Sequence, residues 1–361
     1  MSLHHFIEHA MSEWMRVKGP HSDIVFSSRV RLARNITGMP FPMLSANSHA
    51  REVVRKIEQT LENSQDHRVL GQAELIHMQD LTDLQKRVLV EKHLISPHLA
   101  EESLSGAVVL SQDEAVSIMI NEEDHLRIQC LFPGLQLHDA WKMADALDDW
   151  FEQFVSFSFD EKQGYLTSCP TNVGTGIRAS VMVHLPALAM TQQLNQLFPA
   201  ITQVGLAVRG IYGEGSEALG NLYQVSNQIT LGQSEEEIID KLQGVVMQMI
   251  EHEQYARQRL KEASPIQLED RVFRSYGQLK YGRIIDTREA MKFLSDVRLG
   301  IDMGLITEVP SNVMNELMVM TQPGFLQQYA GKRLDAGERD IRRAILIRER
   351  LSLGYEQNGN R

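Results

Sequence analysis

The sequence predicts an α+β fold in two parts: a sheet flanked by helices, then a separate helical domain. Three observations predict it. Segments with strand-like alternation recur through the first 230 or so residues, interleaved with amphipathic helices. From residue 261 onward the alternation disappears, and helical spacing rich in Met, Arg and Gln replaces it. The chain has 361 residues, more than one core of ordinary size usually holds.

In order, residues 1–20 carry Phe6, Ile7, Met11, Trp14 and Met15 at roughly helical spacing and stop at Gly19-Pro20. Residues 24–34 read as a strand with Ser27, Arg29 and Arg31 on one face and Phe26, Val30 and Leu32 alternating less perfectly. Residues 48–62 predict a helix on Val53, Val54, Ile57 and Leu61, and residues 80–95 another on Leu84, Val88 and Leu89, with His93 near its end. Residues 106–110 and 116–121 predict a hairpin, and His125, Arg127 and Gln129 oppose Leu126, Ile128 and Cys130 on the next strand. Residues 138–156 predict a helix with Trp141, Ala144, Leu147, Phe151 and Phe154 inward.

In the stretch 164–186, Pro170, Gly174 and Gly176 form a loop. The strand after it puts Arg178, Ser180, Met182 and His184 on one face and Ala179, Val181, Val183 and Leu185 on the other, and Pro186 stops it. Residues 187–198 predict a helix, 204–209 a strand, 210–218 a glycine loop and 222–231 a further strand. Ser234 and Glu237 form a capping box opening a long helix to about Leu260. Beyond it, 287–303, 311–321 and 335–352 predict helices, the last opened by Asp335 with Glu338. The expected domains are a short segment 1–23, a sheet-containing domain 24–255 and a helical domain 256–361.

Composition excludes several classes. No apolar run approaches the ~20 residues that span a bilayer, and the N-terminus has no basic region followed by an apolar core, so neither membrane nor signal peptide is expected. Cys130 and Cys169 are the only cysteines, too few for a disulfide framework or a zinc site, which fits a reducing cytoplasm. Net charge is −11, and all of the negative excess lies before residue 261. Such a body suits cationic partners and disfavours direct nucleic-acid binding.

The chemistry-bearing residues are arginines on strands: Arg29, Arg31, Arg127, Arg178 and Arg209. If their strands share one antiparallel sheet, five guanidinium groups converge on one side. Guanidinium matches phosphate oxygens through paired hydrogen bonds, so the set suits a nucleoside triphosphate. Taken singly, each reads better as an ordinary solvated arginine on a half-exposed strand; the five together favour convergence. No Gly-x-x-x-x-Gly-Lys-Ser/Thr loop, His-Arg-Asp or Asp-Phe-Gly triplet competes, and no metal-ligand spacing is present. Glu123, in the run Asn121-Glu122-Glu123-Asp124-His125, and Glu214, in the glycine loop, are the candidate carboxylates.

These segments together resemble the catalytic core of the phosphagen (guanidino) kinases. The resemblance rests on Ser27-Ser28-Arg29-Val30-Arg31, on Asn121 to Arg127, on Thr167 to Thr175 with Arg178-Ala179-Ser180-Val181, and on Arg209-Gly210 with Gly213-Glu214. It implies an antiparallel-rich sheet flanked by helices and ATP, with Mg2+, as cosubstrate. It implies nucleotide contacts from residues 27–31, from His93 and Arg127, from residues 178–182 including Met182, and from residues 209–214 including Ile211 and Tyr212. Catalytic roles fall to Glu123 as base, Glu214 as clamp and Cys169 as a thiolate stabilising the acceptor cation. Tyr212 stands where small-guanidine kinases tend to have arginine, so no particular role is carried over to it.

Those small-guanidine kinases carry a helical domain of about 100 residues, domain-sized, before the core. Here the extra helical domain follows it, which resembles the bacterial protein arginine kinases. That likeness implies protein arginine as acceptor, phosphorylated proteins marked for a Clp ATPase/protease, a heat-shock repressor among the substrates, an activating McsA-like adaptor and a homo-oligomer, at least a dimer. Alternatives are a kinase for free arginine or an inactive phosphoarginine-binding adaptor. In the predicted helix 335–352, Arg339 and Arg343 share a face, with Asp340 and Ala344 beside them. Spacing alone fits a solvated helix; the resemblance implies a regulatory phosphoarginine site in which small Ala344 leaves room.

Overall fold

The computed structural model describes residues 6–7, 11–63, 69–103, 105–212 and 218–358. Its strands are β1 (Val25–Arg34), β2 (Ala73–His77), β3 (Ala107–Ser111), β4 (Val116–Ile120), β5 (Leu126–Pro133), the short β6 (Phe159–Asp160) and β7 (Gly164–Tyr165), β8 (Ile177–His184), β9 (Leu206–Tyr212) and β10 (Ala218–Asn227). Eight of them form one sheet in the order β2-β3-β4-β5-β1-β8-β10-β9. Every pairing is antiparallel, so the α+β class and the antiparallel-rich sheet are borne out.

The two faces of the sheet differ, because side chains alternate along each strand. One face carries Val30, Leu32, Ile128, Cys130, Ala179 and Val181, all fully buried. Against it pack the helices Leu137–Glu152 and Glu235–Ala263. Burial raises the Cys130 thiol well above its ordinary range, so it stays protonated inside this core.

The other face is covered at two places and open between them. Over β2 to β4 lies an apolar cluster built on Ile76, Leu89, Leu99, Val108, Leu110 and Met119. It brings down the helices Asp83–Glu91 and Pro97–Glu101. Near the far end, Leu222 enters the core of the C-terminal helices, with Phe26 packed against it. There the His184 ring nitrogen and Asn221 both meet Ser295 Oγ, each at 2.8 Å. The uncovered middle is where the arginines lie.

The C-terminal part contains the helices Pro265–Tyr281, Thr287–Asp302, Ser311–Met320, Pro323–Ala330 and Ala336–Asn358. The Glu91 carboxylate accepts the Gly324 and Phe325 N–H groups at 2.7 and 2.9 Å. It thereby caps the helix Pro323–Ala330 from across the molecule and satisfies donors that a helix start leaves open.

The helix Glu235–Ala263 runs across residue 255; Ala256 packs in the first core and Leu268 in the second. Several expectations are corrected. The helix expected over 80–95 is shorter, because His93 adopts a left-handed φ of 60°. The single helix over 187–198 is two, Pro186–Met190 and Leu194–Gln203, separated where Gln192 has φ 59°. Phe154 is 44% exposed rather than inward. Strand β2 and the helices Pro265–Tyr281 and Pro323–Ala330 were not anticipated. The capping boxes at Ser234 and Asp335 form as expected.

Candidate active site

The strand registers place the five arginines on one face of one sheet. Arg29 lies opposite Ser180, and Arg31 opposite Arg178. Arg31 also faces Gln129 on β5, and the next pair on that face is Ala33 with Arg127. Gln224 bridges Met182 on one side and Arg209 on the other. The contributing residues lie up to 180 positions apart in the chain, and only the antiparallel pairing gathers them.

The cradle is built with incomplete satisfaction. Arg29 donates to Gln224 Oε1 at 2.7 Å and to Ser180 Oγ at 3.3 Å, and Arg178 donates to Ser226 Oγ at 3.3 Å. Arg31 donates no hydrogen bond to any described residue, and its Nε is buried without a partner. Burial and then the charges of Arg127 and Arg178 push the Arg29 pKa down to about 10. Burial and then Arg29, Arg127 and Arg178 also push that of Arg31 well below its ordinary value. A half-buried, mutually repelling set of cations with open donors is a polyanion site, since a bound anion removes both the repulsion and the unpaired donors.

His93 sits at this cradle. Burial, then Arg29 and Arg31, lower its pKa to about 4, so the imidazole is neutral at pH 7. Its unfolded counterpart titrates near 6.5. As pH falls from about 6.5 toward 4, the unfolded chain takes up a proton that the folded one refuses, so stability is lost over that window. His93→Gln should flatten the fall in melting temperature between pH 6.5 and pH 4.5; an unchanged slope would show that His93 does not titrate this way.

Beside the cradle lie the candidate carboxylate Glu123 and Cys169. In the Asn121–His125 run the carboxylates have separate jobs. Glu122 is buried, with its Oε2 2.5 Å from Arg127 Nη1 and its Oε1 accepting from Ser96 Oγ at 2.6 Å. Burial alone would raise its pKa, but Arg127, Ser96 and the Glu123 N–H outweigh this and lower it. Asp124 is buried and accepts from Asn35 Nδ2 at 2.7 Å and from the Ser168 N–H at 2.6 Å. Glu123, half-exposed between them, accepts no hydrogen bond among the described residues. Its charge reaches Arg178, as does that of Cys169.

Cys169 is held from both sides. Asp124 grips Ser168 just before it, and Thr230 Oγ1 donates to the Thr171 and Val173 carbonyls at 2.9 and 2.7 Å just after. Cys169 Sγ lies 3.0 Å from Thr171 Oγ1. Gly174, at φ 114°, has space for nothing larger: a Cβ there would meet the Thr230 carbonyl oxygen at 2.4 Å. Asp124 therefore places Glu123 and Cys169 relative to one another. Asn35, Asp124, Gln224 and Thr230 were missed as positioning groups. Asp124 stood inside a run already singled out, but nothing local says which carboxylate of such a run turns inward.

Other expected nucleotide residues separate by face. Ser27, Ser180 and Met182 border the cradle. Ser28, Val30, Ala179 and Val181 point the other way, so nucleotide contact through their side chains is corrected. Ser28 Oγ donates to the Gly134 carbonyl at 2.8 Å and accepts the Gln136 N–H at 2.9 Å, anchoring the start of the helix Leu137–Glu152. Gly210, Ile211 and Tyr212 lie on β9. Gly213 and Glu214 lie outside the described residues.

The C-terminal group also departs from expectation. Arg343 is 1% exposed and donates to the Thr321 and Ile285 carbonyls, to Thr287 Oγ1 and, at 2.6 Å, to Asp340. Arg339 donates to the Leu334 carbonyl at 2.9 Å, and Ala344 is packed in the C-terminal core. Ala344 thus fills space rather than leaving it, and Asp340 already holds a guanidinium, that of Arg343. The reason is non-local: carbonyls from two other segments, at Thr321 and Ile285, converge on Arg343.

Comparison with known proteins agrees with this geometry. Residues 52–256 match the family described as ATP:guanido phosphotransferase, C-terminal catalytic domain, and residues 265–361 match the protein-arginine kinase McsB C-terminal domain. The protein-arginine kinase of Halalkalibacterium halodurans is 62% identical over 358 residues, 99% of this chain and 100% of the relative. That of Bacillus subtilis is 58% identical over 361 residues, 100% and 98% of the two chains. Among solved structures, a lombricine kinase superposes with a TM-score of 0.57 at 24% identity, over 69% of this chain and 76% of the other, a likeness of fold. Fold and site together define the class, a phosphotransferase of the phosphagen-kinase fold. The chain belongs to the ATP:guanido phosphotransferase family, among its protein-arginine kinases.

Proposed function

We propose that this enzyme transfers the γ-phosphoryl group of ATP to arginine side chains of other proteins. The observation that carries the reading is the unpartnered Arg31 guanidinium amid Arg29, Arg127 and Arg178, one strand away from a free carboxylate at Glu123. Four cations there can neutralise the triphosphate and the charge spread over the transferring group. Among the described residues no group of three or more His, Cys, Asp or Glu could hold a metal. Mg2+ therefore fits as an ion carried by the ATP phosphates, its usual mode of binding, where it would offset their charge.

The acceptor is a cation whose nitrogen is a poor nucleophile while protonated, with pKa above about 12. Glu123 orients one guanidinium nitrogen toward the γ-phosphorus and accepts its proton as the P–N bond forms and the bond to the β-γ bridging oxygen breaks. Cys169, held by Asp124 and Thr230, faces the same cation. Glu214 supplies the second carboxylate in this reading. Phosphorylated proteins are then delivered to a Clp protease, and a heat-shock repressor is one substrate; an adaptor and self-assembly set the activity, in the cytoplasm. This finer reading is supported by the match to protein-arginine kinases along the whole chain. Among the described residues no helix is long and apolar enough to cross a membrane.

Phosphoarginine binds at Arg339, Asp340 and Arg343 in this reading, but only once the helix has moved. A ligand there takes over the Arg343 bonds to Thr321, Ile285 and Thr287, so binding and a shift of the helix Ala336–Asn358 are one event.

The test is the acceptor. With ATP, Mg2+, an arginine-rich folded protein and free arginine in one reaction, acid-labile phosphate should accumulate on the protein, with free arginine labelled far less. Labelling of free arginine at equal efficiency identifies a small-guanidine kinase, and no transfer with retained phosphoarginine binding identifies an adaptor.

A further inference from the structure

At the Arg29 end of the cradle a cavity of about 280 Å³ runs beneath the C-terminal helices. Of the five arginines only Arg29 lines it, so it continues the cradle on the side away from Glu123 and Cys169. A triphosphate with its γ-phosphorus at Glu123 therefore directs its nucleoside into this cavity. The catalytic sheet supplies Ser27, Met182 and Leu222 to the wall, but the opposite side comes from elsewhere: Trp14 from the N-terminal segment, and Asn315 and Met318 from the helix Ser311–Met320.

Two residues of this wall carry unused donors. The Trp14 indole N–H is buried without a hydrogen-bond partner among the described residues. Asn315 Oδ1 accepts from the Arg298 guanidinium, which can only donate, so the amide orientation is set and Nδ2 is left as a donor with no partner among the described residues. Arg298 is itself immobilised: 2% exposed, bonded to Asp302 at 2.9 Å and to the Ser22 carbonyl, with its guanidinium carbon 4.9 Å from the centre of the Phe26 ring. An apolar slot of methionine and leucine with two fixed donors matches a flat heteroaromatic ring bearing nitrogen acceptors.

We infer that Trp14 and Asn315, which lie outside the sheet and on the C-terminal domain respectively, bind the base of ATP. Specificity for the nucleoside thus comes from outside the catalytic sheet, and an occupied site joins that sheet to the C-terminal domain. The inference rests on the ATP-dependent reading above.

The experiment uses the full-length chain with Asn315→Ala, Asn315→Asp and Trp14→Phe, the last keeping the ring and removing the N–H. Affinity for ATP and for inorganic triphosphate is measured by calorimetry, with KM and kcat for transfer. Loss of one such bond should raise the Kd and KM for ATP about 3- to 10-fold in Asn315→Ala and Trp14→Phe, and at least as much in Asn315→Asp, where acceptor meets acceptor. The kcat and the Kd for triphosphate should not change, because uniform binding of the base is what is lost. Wild-type ATP affinity in both Asn315→Ala and Trp14→Phe overturns the inference, and so does a parallel loss of triphosphate binding, which marks general damage. Failure of the unmodified enzyme to bind ATP instead removes the underlying functional reading, and is distinguished by being seen without any substitution.

Discussion

Glu123→Gln should lower the rate of phosphoryl transfer about 10²–10⁴-fold, the usual effect of removing an oriented proton acceptor, while ATP affinity stays near normal. The geometry isolates this carboxylate from its neighbours. Glu122 is committed to Arg127 and Ser96, and Asp124 to Asn35 and Ser168. Neither can take a proton from an acceptor without breaking the arrangement. The Glu123 carboxylate is half-exposed, accepts no hydrogen bond among the described residues and lies within electrostatic reach of Arg178. Glutamine keeps the shape but neither the charge nor the basicity, so it orients a guanidinium poorly and accepts no proton. Single-turnover transfer beside ATP calorimetry reads the two effects separately. Full activity in Glu123→Gln would remove the residue from the mechanism, and loss of ATP binding would move it to the nucleotide side.

Arg178→Ala should lower kcat by about 10³-fold, within the range for a guanidinium that stabilises a transferring phosphoryl group. Arg178 stands at the junction of the two halves of the site. It faces Arg31 in the sheet register, its pKa is lowered first by burial and then by Arg209 and Arg127, and Cys169 and Glu123 pull the other way. Arg178 thus feels both the cradle arginines and the Glu123 and Cys169 groups, and the expected loss follows if its charge acts between them. Arg178→Lys should recover little, since a point charge does not reproduce two parallel donors. The kcat and KM of both variants decide this: a kcat within threefold of the unmodified enzyme in Arg178→Ala would place the residue in ground-state binding only.

Much of this site was legible from local pattern. Alternation along residues 24–34, 125–130 and 177–184 reports which side chains share a face, and the structure keeps each of those assignments for Arg29, Arg31, Arg127 and Arg178. The same rule, applied strictly, would have removed Ser28, Val30, Ala179 and Val181 as side-chain contacts, because a residue adjacent to a cradle arginine on a strand must point into the core. Capping residues were legible for the same reason: Ser234 and Glu237 are three positions apart and need no partner from elsewhere.

By itself, then, the sequence determined the period of each element, the residues on each face, and the run of motifs that marks a guanidino kinase. Only the tertiary structure decided the rest. That β1 lies between β5 and β8 brings Arg29, Arg127 and Arg178 together across wide sequence separations. That Asp124 turns inward and bonds both Asn35 and Ser168 sets Glu123 against Cys169. Convergence of the Thr321 and Ile285 carbonyls on Arg343 closes what helical spacing alone left open, and the helix Ser311–Met320 supplies a wall of the cavity beside Arg29. The physical reason is the same in each case. Spacing along a strand or helix records only the orientation of a side chain relative to its own element. Its partner is chosen by strand register and by the need to satisfy buried charges, and both depend on residues far away in the chain.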